Sequence, residues 1–128
     1  HGRGPNAQAA MIAATAGNST HPVQVLNQLC DNPNTQRGCV PIKATMQRAL
    51  ERAIDVPITW VGHEQHHAGQ FWVLGTVRFN GSRARTMASW RDPGRFGCFG
   101  WTRLAWVRHH GAWSMSSGLS AEGCAAGG

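Results

Sequence analysis

The chain has 128 residues, with twelve basic against six acidic side chains, a formal net charge of +6 and an isoelectric point near 10.5. That length suits one domain with a real core, and no apolar run approaches the ~20 residues of a membrane-spanning helix. Lys43 is the only lysine, so arginine carries the charge, and six tryptophans stand beside no tyrosine.

Residues 6–16 (NAQAAMIAATA) are good helix formers, closed by Gly17. Pro22 predicts the start of a second helix with Val23, Leu26, Leu29 and Cys30 on one face. Residues 43–54 (KATMQRALERAI) predict a third. Met46, Ala49, Leu50, Ala53 and Ile54 form its apolar stripe and Pro57 stops it.

Beyond Pro57 the residues become β-branched and aromatic. Ile58–Val61 and Phe71–Phe79 read as strands, with Phe71, Val73, Val77 and Phe79 on one face. Asn80-Gly81 predicts a hairpin turn into a return strand, Arg83–Trp90. A glycine-rich loop follows over 92–97. Trp101–Arg108 and Ala112–Ser116 then pair across His109-His110-Gly111. Trp72, Trp90, Trp106 and Trp113 are expected in the core. The predicted class is α+β in a single domain over 1–128. N-terminal helices (1–56) pack on a curved antiparallel meander of four to five strands (57–117), and 118–128 forms a tail.

Four cysteines, at 30, 39, 98 and 124, contain no C-x-x-C spacing, which disfavours a thiolate metal site. An even count reads as two disulfides in an oxidising compartment, secreted or periplasmic, against the alternative of four free buried thiols. Of three connectivities, Cys30–Cys39 is favoured because the residues between them are turn chemistry. Cys98–Cys124 then ties down the tail. A start at His1-Gly2 without methionine reads as a processed form.

The order of helices followed by long strands around Asn80-Gly81, and the closing pattern W-x-R-L-x-W-V-R-x-x-G-x-W-x-M from Trp101 to Met115, resemble the NTF2-like (cone-shaped α+β) superfamily over residues 43–117. Cystatin-like folds share this order. The resemblance implies a curved sheet under helices and no particular activity, since the family includes enzymes and pure assembly modules. The acidic and tyrosine residues of its ketosteroid-isomerase branch have no counterpart here.

Three constellations bear on chemistry. His63-Glu64-x-x-His67, within GHEQHHAGQ, matches the zincin pattern, in which two histidines one helical turn apart hold zinc and the glutamate is the base. Gly62, Gly69 and the flanking strand residues instead predict a polar hairpin loop between antiparallel strands, with no metal. His109 and His110 with Arg103 and Arg108 suggest a cationic nuclease, against solvated turn residues. His1 could bind copper through its amine and ring if it is the mature N-terminus, against a processing remnant. Asn18-Ser19-Thr20 and Asn80-Gly81-Ser82 match glycosylation sequons.

Arg78, Arg83, Arg85, Arg103 and Arg108 crowd the strand half, interleaved with aromatics suited to stacking. Period two places Arg83 and Arg85 on one face and Arg103 and Arg108 on opposite faces. The favoured function is a binding or assembly module that presents arginines to an acidic partner: a protein, a nucleic acid or an envelope polymer. Self-association is compatible with this reading. The alternative is a small secreted hydrolase, either a nuclease or a zinc enzyme using His63, Glu64 and His67. No cofactor is expected under the first reading.

Overall fold

The computed structural model describes residues 2–16, 23–62, 69–94 and 97–124. Among the described residues, two helices and eight strands follow in the order α1 (Pro5–Thr15), β1 (Val23–Asn32), β2 (Arg37–Pro41), α2 (Ala44–Ala53), β3 (Ile58–Val61), β4 (Phe71–Gly75), β5 (Arg78–Asn80), β6 (Arg83–Asp92), β7 (Cys98–His109) and β8 (Ala112–Cys124). The fold is α+β, as the sequence predicts, but the sheet is larger than a five-stranded meander and is mixed. Its order is β2-β1-β4-β6-β7-β8, with β3 on β1 and β5 on β6.

The largest correction concerns 23–30, expected to belong to a helix opened by Pro22. This segment is no helix but β1, the strand that joins the two halves of the sheet. Val23, Val25 and Leu29 face the main core under the helices, whereas Leu26 and Cys30 face a second cluster with Val61, Phe71 and Val73. A strand buried on both sides carries apolar residues at odd and even positions alike, so periodicity cannot tell it from a helix. Residues 1–56 therefore hold a β-hairpin between two helices.

β3 and β4 also differ from expectation. Both are strands, but they are not antiparallel neighbours. Each pairs in parallel with β1, Ile58 beside Val23 and Phe71 beside Gln24, so β1 lies between them.

A β-bulge divides the predicted strand 71–79. β4 and β5 both pair with β6, but three residues, Gly75–Val77, oppose two, Thr86 and Met87. One extra residue inverts the alternation. Trp72 and Leu74 face the main core before the bulge, and Val77 and Phe79 face it after; Phe71 and Val73 lie on the opposite side. The four residues expected on one face are thus split between two.

The hairpins close by local rules. His110 (φ 53°) and Gly111 (φ 81°) form a two-residue turn of the I′ kind between His109 and Ala112. The β5–β6 turn sits one residue later than predicted. Asn80 pairs with Arg83, and Gly81 (φ 62°) leads a Gly-Ser turn. In the β1–β2 loop the Asn32 Oδ1 accepts from the backbone N–H groups of Asn34 (3.0 Å) and Thr35 (3.3 Å), an Asx turn.

Helix α1 starts with Pro5 in its first turn and lies against α2, β6 and β7. Helix α2 buries Ala49 and Leu50, and Arg52 near its C-terminus donates to Asn6 Oδ1 at 3.0 Å, tying the two helices together. Among the tryptophans expected in the core, Trp106 is buried. Trp72, Trp90 and Trp113 are half-buried.

Both predicted disulfides are present, each between residues directly opposite in antiparallel strands: Cys30–Cys39 joins β1 to β2, and Cys98–Cys124 joins β7 to β8. Residues 118–124 are consequently not a tail but the second half of β8. Loop closure predicts unequal effects. Replacing Cys98 and Cys124 by alanine should cost about 3.5 kcal/mol, and replacing Cys30 and Cys39 about 2.7 kcal/mol plus the packing of buried Cys30. Urea midpoints of both pairs check this; an unchanged midpoint for the Cys98/Cys124 variant would show that β8 holds its register without the bond.

Candidate functional site: an arginine face on the sheet

The sheet has an inner face, covered by the helices, and an outer face. Continuous pairing along β6 and β7 places Ala84, Thr86, Ala88, Leu104 and Trp106 on the inner side. The indole N–H of Trp106 donates to the Thr86 hydroxyl at 2.8 Å, which satisfies both groups in the core. Alternation then turns Arg83 and Arg85 of β6, and Trp101 and Arg103 of β7, outward. Arg78 joins them because β5 pairs Arg78 directly opposite Arg85.

Four of the five predicted binding arginines thus share one face. Along this register the outward positions around them are Asn80, Met87, Ala105, Val107, Ser114, Ser117 and Leu119, none of them acidic. Like charges directly opposite on neighbouring strands are unfavourable, and Arg78 is held there by donating to the Asp31 backbone carbonyl at 3.0 Å. The Arg103 guanidinium lies 5.1 Å from the Trp101 ring centroid. A groove of about 370 Å³ is lined by Arg78, Asn80, Arg83, Arg85 and Ala105, among others. A second, of about 250 Å³, continues past Arg85 and Ala105 to Arg103, Ser117 and Leu119. Exposed Phe99 and half-buried Trp101 extend the face with aromatic surface. The contribution of Phe99 and Trp101 was accessible from alternation on β7 once Leu104 and Trp106 are taken as inward, whereas Leu119 is turned outward by the extra residue at Ser116, which alternation from Trp113 does not foresee.

Arg108 lies apart. It faces the other side of the sheet, 5.7 Å from the Trp113 ring centroid, and Trp113 donates its N–H to the Gly2 carbonyl at 2.8 Å. His109 and His110 are exposed at the β7–β8 turn. Arg103 is six residues along β7 from His109, roughly 20 Å at strand rise, so these two are not brought together. His63, Glu64 and His67 lie outside the described residues, as do His1 and Asn18. Among the described residues no group of three or more His, Cys, Asp or Glu side chains could hold a metal ion, and no helix is long and apolar enough to cross a membrane.

A separate cleft of about 570 Å³ lies between α1, the end of α2, β1 and β4, lined by Ala10, Ala13, Ala14, Val25, Asp55 and Trp72 among others. Compared with protein-family models, with curated proteins and with solved structures, the chain has no match.

Proposed function

We propose that the protein is a disulfide-stabilised binding or assembly module of the secreted or periplasmic space, and that its outer sheet face engages an acidic partner. The observation that carries this reading is the placement of Arg78, Arg83, Arg85 and Arg103 on one face, with no acidic residue at the neighbouring outward positions. Guanidiniums with no acidic residue at the neighbouring outward positions of the described sheet keep capacity for a ligand's anionic groups. Residues i and i+2 on a strand stand about 6.8 Å apart, so Arg83 and Arg85 can meet successive anionic groups of an extended chain. Trp101 and Phe99 add surface on which planar groups stack. An NTF2-like architecture is the scaffold that this reading assumes: helices on one side of a long-stranded sheet, and the other side left for a partner. The two disulfides support an oxidising compartment.

The test uses two probes, a single-stranded oligonucleotide and polyglutamate, titrated by fluorescence anisotropy over a series of salt concentrations. Arg78→Gln, Arg83→Gln, Arg85→Gln and Arg103→Gln combined should weaken binding roughly hundredfold, and for the oligonucleotide should flatten the log–log salt slope by about 3. Arg37→Gln with Arg48→Gln, on β2 and α2, should leave both unchanged. Equal losses per charge removed in the two variants would reduce the effect to net charge and remove the face as a site.

A further inference from the structure

We infer that the outer edge of β8 is a self-association surface, at which a second copy of this chain adds its own β8 antiparallel to extend the sheet. β8 ends the strand order, and among the described residues no strand pairs its far edge. It runs thirteen residues, and eleven of them are exposed. Edge strands are normally short or guarded by charge, proline or a bulge that twists the edge away, because their unpaired N–H and C=O groups template further pairing. The opposite end of the sheet follows that rule: β2 is five residues long and carries Arg37 and Pro41. β8 departs from it. Between Ala112 and Cys124 the only charged residue is Glu122, and there is no proline. Its one irregularity, the extra residue at Ser116, leaves 117–124 in continuous register with β7.

Two further features single out this edge. Met115 is 54% exposed and Leu119 61%, and with Phe99 of β7 they make up three of the four large hydrophobic side chains that the described surface exposes. The far end of β8 is held to β7 by Cys98–Cys124 although the strand contributes almost nothing to the core. A bond that keeps the far end of a nearly coreless strand in register with β7 preserves its free edge.

The occupant follows from symmetry. A two-fold interface requires that the strand be compatible with its own reverse. Over 117–123 the sequence is SGLSAEG. Paired about Ser120, Leu119 meets Ala121 of the second copy, Ser117 meets Gly123, and Glu122 meets Gly118. Paired about Leu119, the two leucines meet and Glu122 meets Ser116. In neither register does the carboxylate oppose its own copy, which would be unfavourable. With the two-fold perpendicular to the sheet, outer face continues into outer face, so the pair would present both arginine faces side by side. That last consequence rests on the proposed binding function, while the association itself does not.

Sedimentation velocity of the oxidised full chain tests the inference. A concentration-dependent dimer is expected by roughly 0.3 mM. Leu119→Lys with Ser120→Lys places like charges opposite in either register and should raise the dissociation constant at least about tenfold. Because both sites are exposed, the melting temperature should hold. Ser117→Lys is a second variant with the same expected direction. Val40→Lys, on the β2 edge, should leave the dimer intact. A monomer throughout for the unsubstituted chain overturns the inference. So does a dimer that tolerates the β8 lysines, or one that Val40→Lys dissociates. Loss of polyanion binding in a chain that still dimerises would instead count against the proposed function alone.

Discussion

Trp106→Ala is expected to lower the unfolding free energy by about 3–5 kcal/mol, more than truncating any other tryptophan here. Trp106 is only 9% exposed and belongs to the main core cluster with Ile12, Leu50 and Leu104. Its loss leaves a cavity between the sheet and the helices, and the close-packed surroundings cannot fully collapse into it. Its indole N–H also donates to Thr86, whose hydroxyl is buried. Trp106→Phe keeps most of the volume but leaves that hydroxyl without its donor, and should cost about 1–3 kcal/mol. For a chain of this size the alanine variant should melt roughly 10–20 °C lower. Trp113→Ala, at a half-buried position against Phe79, should cost less. Calorimetric melts of the three variants give the order; a Trp113→Ala loss equal to that of Trp106→Ala would place the centre of the core nearer the β8 end.

Gly75→Ala should cost about 1–3 kcal/mol. Where a glycine's backbone suits alanine and space is available, the exchange usually stabilises, because it restricts the unfolded chain. At Gly75 space decides the sign. A Cβ there would stand 2.6 Å from the Met87 carbonyl oxygen and 3.3 Å from the Pro33 ring. The first obstacle is backbone and the second belongs to the turn that folds over the outer face, where Ser89 donates to the Pro33 carbonyl at 2.8 Å. Relief requires β4 to move from β6 or the β1–β2 loop to lift. Beyond Gly75 the Thr76 N–H and hydroxyl both donate to the Cys30 carbonyl, at 3.0 and 3.1 Å, which holds the bulge in place. Urea unfolding measures the loss, and amide exchange should show the weakening centred on β4 and the 33–36 turn. A neutral substitution would mean that the strand crossing at Gly75 is looser than its contacts imply.

Much of the local structure was legible. Alanine-rich stretches and the amphipathic stripe of 43–54 became α1 and α2, because propensity and period agreed there. The disulfide pairing followed from turn chemistry between Cys30 and Cys39. The shared face of Arg83 and Arg85 followed from period two on a strand that no bulge interrupts. At the Asn80-Gly81-Ser82 turn only the register moved, by one residue, since either placement puts glycine where φ is positive.

What the residues by themselves determined was therefore part of the content of the protein: the helices α1 and α2, a run of strands after Pro57, the pairing of the four cysteines and an excess of arginine. What only the tertiary structure decided was which surfaces those pieces share. β1 is a strand because both its faces are covered, a condition set by residues far along the chain and invisible to local period. The inward side of Phe71 and Val73 is not that of Val77 and Phe79, because a single extra residue at Gly75–Val77 inverts alternation against β6. Arg78 reaches the arginine face through that same bulge and its pairing with Arg85, while Arg108 is carried to the opposite side by parity on β7. Each of these turns on long-range pairing, which fixes side-chain direction through backbone hydrogen bonds between strands and leaves little trace in the composition of either one.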